Sequence, residues 1–418
     1  MGKAHPPIPL VSSCALADHA DEEQSKEAAI TIESADIVDL LADTVRNGSC
    51  VPTGGEPPAH FEPLEADHWV CTNVEEAIVS QDLHLAKDGG ALYRFLLTQS
   101  ATPPTVLLRC RGSRDETDST PSFSSTSTVD FDFVIDLTKH VPHTATQWTV
   151  GDAEPVLRGR KLRETGAPGH TRLAGHAAVK SYRAWRERRT QRGLPPWVRE
   201  PVAAGTKEKE DNGAPPRLEA TKPSMTLRQW TEDFVTARHS CKEFVYEKSI
   251  YGWDVQALCR AVTAVIRATG YTGHVNVRLE TRRAKIIVRP VPRLSRILGH
   301  PLVTAVSLIT FMFPLVWIVR RFAERSSVQW TVAGGAYAMK RWEPVEGEAV
   351  EGAEGVVVQT PSGPKRAVGM QEREWLKMWE ASIQRLVSRS VADIMPLKTP
   401  PLAATIPDFI SKFVHRSS

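Results

Sequence analysis

Hydrophobic positions along most of this chain recur at the spacing of one helix face or one strand face, and in one stretch they run together without a break. From Val129 the apolar residues Val129, Phe131, Phe133, Ile135 and Leu137 alternate with polar ones, which predicts a strand with one buried face and one carboxylate-bearing face. A helix is expected over Ala91 to Thr98, and the Pro103-Pro104 pair then turns the chain into a strand over Val106 to Arg111. Thr226 and Gln229 stand at capping-box spacing before Leu227, Trp230, Phe234, Ala237, Cys241 and Phe244, whose steps of three and four predict one long helix. Asp254 as N-cap and Gly270 as the terminating residue frame a second helix carrying Leu258, Val262 and Val265. Val275, Val277 and Leu279 then alternate as a strand, with Lys285 to Arg289 expected to fold back on it as a hairpin. Val328 to Val332 reads as a strand ending at Gly334-Gly335, and Gln371 to Arg389 as an amphipathic helix with Trp375, Trp379, Ile383 and Leu386 on one face. Ile406, Phe409, Ile410, Phe413 and Val414 are spaced for a short terminal helix. The sum is an α+β chain of short antiparallel strands and amphipathic helices.

The unbroken stretch is Pro301 to Val319. Nineteen residues free of charge, eleven of them Leu, Val, Ile or Phe, are close to the length that crosses a hydrocarbon core. Leu302, Ile309 and Phe311 are typical of its side chains, and the favourable insertion contribution is roughly 3 to 7 kcal/mol at most. Arg293 and Arg296 before it, and Arg320 and Arg321 after it, suit phosphate headgroups, with Trp317 near one interface. A buried core helix is the rival reading. The simplest membrane topology is a single-pass transmembrane helix with Arg320 onward on the far side; Pro314 in mid-segment keeps open a re-entrant bend.

Composition divides the rest. Residues 1–60 read as a disordered N-terminal tail, with a short periodic stretch at Ile37 to Val45; 61–149 as an α+β region with a β-hairpin; and 150–222 as a low-order basic insertion. Residues 223–297 form a helix-helix-hairpin region, 298–321 the membrane segment, and 322–418 a C-terminal strand and amphipathic helices with an acidic Gly-rich loop at 344–364. The net charge of +3 over 418 residues gives no global argument for nucleic acid. Six widely spaced cysteines without a C-x-x-C pair point to neither a zinc site nor a disulfide framework. No apolar leader follows Met1, and Pro6 stands where a myristoylation motif needs Ser or Thr.

Candidate chemistry is sparse. Asp130, Asp132 and Asp136 form an acidic stripe that could hold a divalent ion or act as acid and base, but Arg109 and Arg111 in the preceding strand are placed to pair with them. Between Lys180 and Arg199, the residues Arg183, Trp185, Arg186, Arg188 and Arg189 make a basic, aromatic stretch suited to anionic lipid. No zinc-hydrolase, nucleophile-elbow, P-loop or dinucleotide motif is present, so neither a metal nor a cofactor is expected.

The sequences Asp130-Phe131-Asp132-Phe133-Val134-Ile135-Asp136-Leu137-Thr138, Lys242-Glu243-Phe244, Tyr251-Gly252-Trp253 and Trp330-Thr331-Val332-Ala333-Gly334-Gly335-Ala336-Tyr337 resemble, in that order, a family of uncharacterised fungal membrane proteins with one hydrophobic segment. The resemblance implies architecture and no activity. The expectation is a non-catalytic scaffold or adaptor integral to an intracellular membrane, endomembrane before plasma membrane, with anionic lipids and an unknown protein as partners. Two alternatives stand beside it: a lipid-binding or lipid-transfer module built round an enclosed apolar cavity, and a membrane-bound enzyme using the Asp130 stripe.

Overall fold

The computed structural model describes residues 62–71, 76–116, 126–199, 218–239, 241–290, 328–345, 357–360 and 363–401. The segment 301–319 with its flanking arginines, the tail 1–60 and the terminal helix expected around Phe409 all lie outside these residues, as does much of the acidic loop.

Two mixed sheets organise the fold. Strands of the first are β1 (His68–Val70), β2 (Ile78–Ser80), β5 (Thr146–Thr149), β6 (Arg158–Arg160), β7 (Lys242–Tyr251), β9 (Lys285–Val288) and β10 (Val328–Ala338), taken in the order β1-β2-β9-β7-β10-β5 with β6 also on β10. The second comprises β3 (Thr105–Glu116), β4 (Thr126–Asp136), β8 (His274–Arg282) and β14 (Ala392–Leu397), in the order β8-β3-β4-β14. A smaller three-stranded sheet joins β11 (Arg341–Pro344), β12 (Val357–Thr360) and β13 (Gly363–Val368). The helices are α1 (Gly89–Ser100), α2 (His176–Gln191), α3 (Leu227–Thr236), α4 (Val255–Ala268) and α5 (Glu372–Ser388).

Strand β7 shows how the layers are fixed. Its even residues meet α1 and α3: Phe244 packs edge-on against Phe234, and Lys248 reaches the carbonyls of Gln99 and Thr102 at 2.8 Å each. Its odd residues meet the opposite layer, where Arg186 of α2 pairs with Glu247 at 2.6 Å and Trp197 packs on Tyr251. A strand buried on both faces needs no strict alternation of polarity, which explains its resemblance to a helical stripe in sequence. Thus the helix capped by Thr226 and Gln229 stops at Thr236, and Phe244, expected on that helix, belongs to β7. Lys242 Nζ donates to the carbonyls of Phe234, Val235 and Ala237 at 2.6 to 3.2 Å, closing the helix's C-terminal end.

The second sheet packs Val106, Leu108, Cys110, Phe131, Phe133 and Ile135 on α4 and α5, with the stacked rings of Trp375 and Trp379 fully buried between. The hairpin expected from Val275 to Arg289 does not form. Arg283 takes a positive φ of 56° at the break, β8 pairs with β3 in one sheet, and β9 pairs with β7 and β2 in the other. Strand β10 also runs past Gly334-Gly335, because Gly334 lies against the Glu247 carbonyl and the Trp148 ring where a Cβ would collide.

These pairings replace the expected succession of regions with a weave. The first sheet takes strands from residues 68–160, from 242–288 and from 328–338, so the parts before and after 291–327 are one body. Val288 lies beside Phe244 and Val328 beside Lys242, on either side of the same end of β7. With strands about 4.8 Å apart, the chain leaves and returns at points roughly 10 to 12 Å apart. A single crossing that sets everything from Arg320 onward on the far side of a bilayer does not fit this pairing.

Candidate lipid-facing surface

The end of the first sheet from which Pro290 departs and to which Val328 returns is built from β2, β9, β7, β10 and β6. Arg289 is exposed there and its backbone N–H bonds the Ser80 carbonyl at 3.0 Å. On the other flank, Arg160 lies opposite Gln329, one residue inside the start of β10. Beyond Arg160 the chain makes a ribbon, in which Glu164–Thr165 pairs antiparallel with Arg172–Leu173 and the Ala174 N–H bonds the Arg163 carbonyl at 2.9 Å. Its root is fixed by Arg158, buried, whose guanidinium donates to the Glu164 and Gly151 carbonyls at 2.6 and 2.8 Å.

The basic stretch expected to face lipid is largely internal. Residues 150–199 are an ordered layer of the fold and not a low-order insertion, and α2 turns Tyr182, Trp185 and Arg189 inward. Their spacing of three and four residues is the signal that a count of charges overlooks. Arg189 bonds the Pro196 and Val198 carbonyls and stands 3.9 Å from Glu154, a buried carboxyl raised above its usual range by desolvation and opposed by Arg189. Arg186 is committed to Glu247. Of the five named residues, Arg183 and Arg188 are exposed, with Arg188 stacked over the Trp185 ring.

The acidic stripe is three separate arrangements. Asp132 accepts from Arg109 Nε and Nη2 at 2.8 and 2.6 Å, and the hydrogen bond from this guanidinium holds its carboxyl below the usual range. Asp130 accepts from the Tyr271 hydroxyl at 2.7 Å and pairs with Arg114 at 3.0 Å. Asp136 accepts the Thr138 N–H at 2.8 Å and shapes the turn after β4. Among the described residues no group of three or more His, Cys, Asp or Glu could hold a metal ion.

Two large clefts are open to solvent, in contrast with the enclosed apolar cavity a lipid-transfer module needs. One of about 680 Å³ lies where β4 passes to β5, lined by Lys139, His140, His143, Lys340, Arg341 and Trp342 among others. The other, about 730 Å³, lies between α4 and β8, with Gln256, Cys259, Thr263, Val275, Val277 and Leu279 on its walls. Sequence reasoning also missed the buried polar centre beneath α1. There Tyr337 donates to the Ser100 carbonyl at 2.6 Å, Tyr246 bonds Gln147, and burial pushes the Lys248 amine down to about 8. Single polar residues spread over four elements leave no local sequence signature.

No family model, curated protein or solved structure matches the chain. No helix among the described residues is long and apolar enough to cross a membrane, and the segment 301–319 is not among them.

Proposed function

We propose that this protein is a membrane-anchored, non-catalytic adaptor whose hydrophobic segment, Pro301 to Val319, enters and leaves the bilayer on one side. The observation that carries the reading is the placement of β9 and β10 on either side of β7, which returns residue 328 to the sheet end that residue 290 left. A segment held at both ends in this way inserts as a bend, for which Pro314 stands at a suitable place. The arginines on both flanks then meet the same layer of headgroups, which accounts for a charge distribution with no bias across the segment. The folded body supplies surfaces: β8 has one edge unpaired among the described residues, beside the open groove of α4, where an extended segment of a protein partner can add as a strand.

The test is fractionation of cells expressing the full chain, followed by alkaline carbonate extraction and protease treatment of sealed vesicles with tags at both termini. The protein is expected in the carbonate pellet with both tags on the same side. Tags on opposite sides, or release by carbonate, would defeat the proposal.

A further inference from the structure

A second element stands at the same end of the first sheet as the anchor. Strand β6 runs antiparallel to β10, with Arg158 opposite Trp330 and Arg160 opposite Gln329, so its direction of travel carries residues 161 and 162 off the end where β10 begins. Two large apolar side chains are left in solvent along this path: Leu162, in the turn after Arg160, is 61% exposed, and Leu173, beside Glu164 where the chain has folded back on Val156, is 64% exposed. Apart from Met395 these are the most exposed large hydrophobic residues described, and they share one ribbon through the Glu164 and Leu173 pairing. Exposed Arg160, Lys161 and Arg172 flank them. Across residues 158–189 the sequence holds ten Lys or Arg against two Glu.

We infer that this ribbon, through Leu162 and Leu173 at the open end of its two-residue ladder, is a second membrane contact that seats the folded body on an anionic bilayer. The inference rests on the anchoring reading, because the end of the sheet is set toward the membrane by the exit and return of 291–327. Two leucines ringed by arginine and lysine fit the boundary between headgroups and acyl chains, where the apolar tips lose water and the cations meet lipid phosphate. The buried guanidinium of Arg158 at the root keeps the ribbon at a fixed angle to the sheet. Lipid contact at the ribbon therefore orients the groove beside β8 relative to the membrane plane, which a bent anchor alone leaves free.

The experiment is photo-crosslinking in the full chain reconstituted into vesicles of phosphatidylcholine and phosphatidylserine. Benzoylphenylalanine replaces Leu162, Leu173, Ser307 or Met378 one at a time, and lipid adducts are read by mass. Adducts at 162, 173 and 307, with background at 378, support both contacts. Adducts at 307 with none at 162 or 173 overturn the ribbon contact and leave the anchor standing. Adducts at 162 and 173 without any at 307 keep the ribbon and overturn the anchor, and background at all four positions overturns both. Equal adducts at 378 overturn the ribbon's specificity. In the same vesicles without phosphatidylserine, adducts at 162 and 173 are expected to fall while those at 307 persist; an unchanged yield removes the anionic part of the proposal.

Discussion

Lys248 is a buried lysine held by two backbone carbonyls. Its amine donates to the Gln99 and Thr102 carbonyls at 2.8 Å, and so serves the C-terminal end of α1 as Lys242 serves that of α3. Burial lowers its pKa from the ordinary 10.5 to about 8. The unfolded chain therefore binds this proton more readily than the fold between those values, and stability rises with pH across that window; below pH 8 both states are protonated and the penalty is constant. Buried Tyr182, Tyr246 and Tyr337 have raised pKa values and act the other way, costing stability as pH passes the ordinary tyrosine value of 10. Denaturant unfolding between pH 8 and 10 should thus show a lysine-dependent gain of about 2 kcal/mol. Lys248→Met is expected to abolish that slope while costing about 1 to 3 kcal/mol at pH 7 through the two carbonyls left unpaired. Parallel pH curves for the two proteins would remove this account. Asp132 is a simpler case: Asp132→Ala is expected to cost about 1 kcal/mol through the lost bond from Arg109, and added calcium should leave the melting temperature of the native protein unchanged.

At the scale of elements, α3 is short enough for its ends to matter. Thr226 accepts the Gln229 N–H at 3.2 Å while the Gln229 side chain accepts the Thr226 N–H at 2.8 Å, and Lys242 closes the other end. Thr226→Ala should lower stability by about 1 kcal/mol, measured by denaturant midpoint, with Thr226→Ser close to the native value. This cap was legible from two residues, as were the Asp254 cap and the buried face of α5, because each depends on neighbours in sequence. Signals that depend on distant partners were not. Strand β7 has helices on both faces, so its apolar residues form no alternation, and β8 and β9 part at Arg283 because each finds a longer-range partner strand. The basic face of α2 was misread for the same reason: Arg186 and Arg189 look solvated until Glu247 and Glu154 are placed opposite them. The ribbon's exposed Leu162 and Leu173 are two isolated leucines, which no periodicity singles out.

At the scale of the molecule, the hydrophobic segment Pro301 to Val319 and the fold are separable only if 291–327 is an excursion from a finished sheet. The pairings of β9 and β10 with β7 support that reading, since both strands complete their hydrogen-bonded register before the chain departs and after it returns. The gap of roughly 10 to 12 Å is within reach of a flexible linker of about eight residues, whose typical end-to-end distance is about 15 Å. Replacing residues 291–327 with such a Gly/Ser linker is therefore expected to leave the melting temperature and near-ultraviolet circular dichroism of the body unchanged and to move the protein from the carbonate pellet to the supernatant. Were Pro301 to Val319 instead a core helix of the fold, the same replacement would remove a fully apolar element from a packed interior. Loss of several side chains of the size of Leu and Phe costs far more than the stability of a typical domain, so the linker protein would then not fold at all. Retained folding with loss of the pellet leaves a body still able to meet anionic vesicles weakly and reversibly through Leu162, Leu173 and their flanking cations. Salt would weaken that residual binding, whereas under the proposed anchoring the native chain is expected to remain bound at high salt.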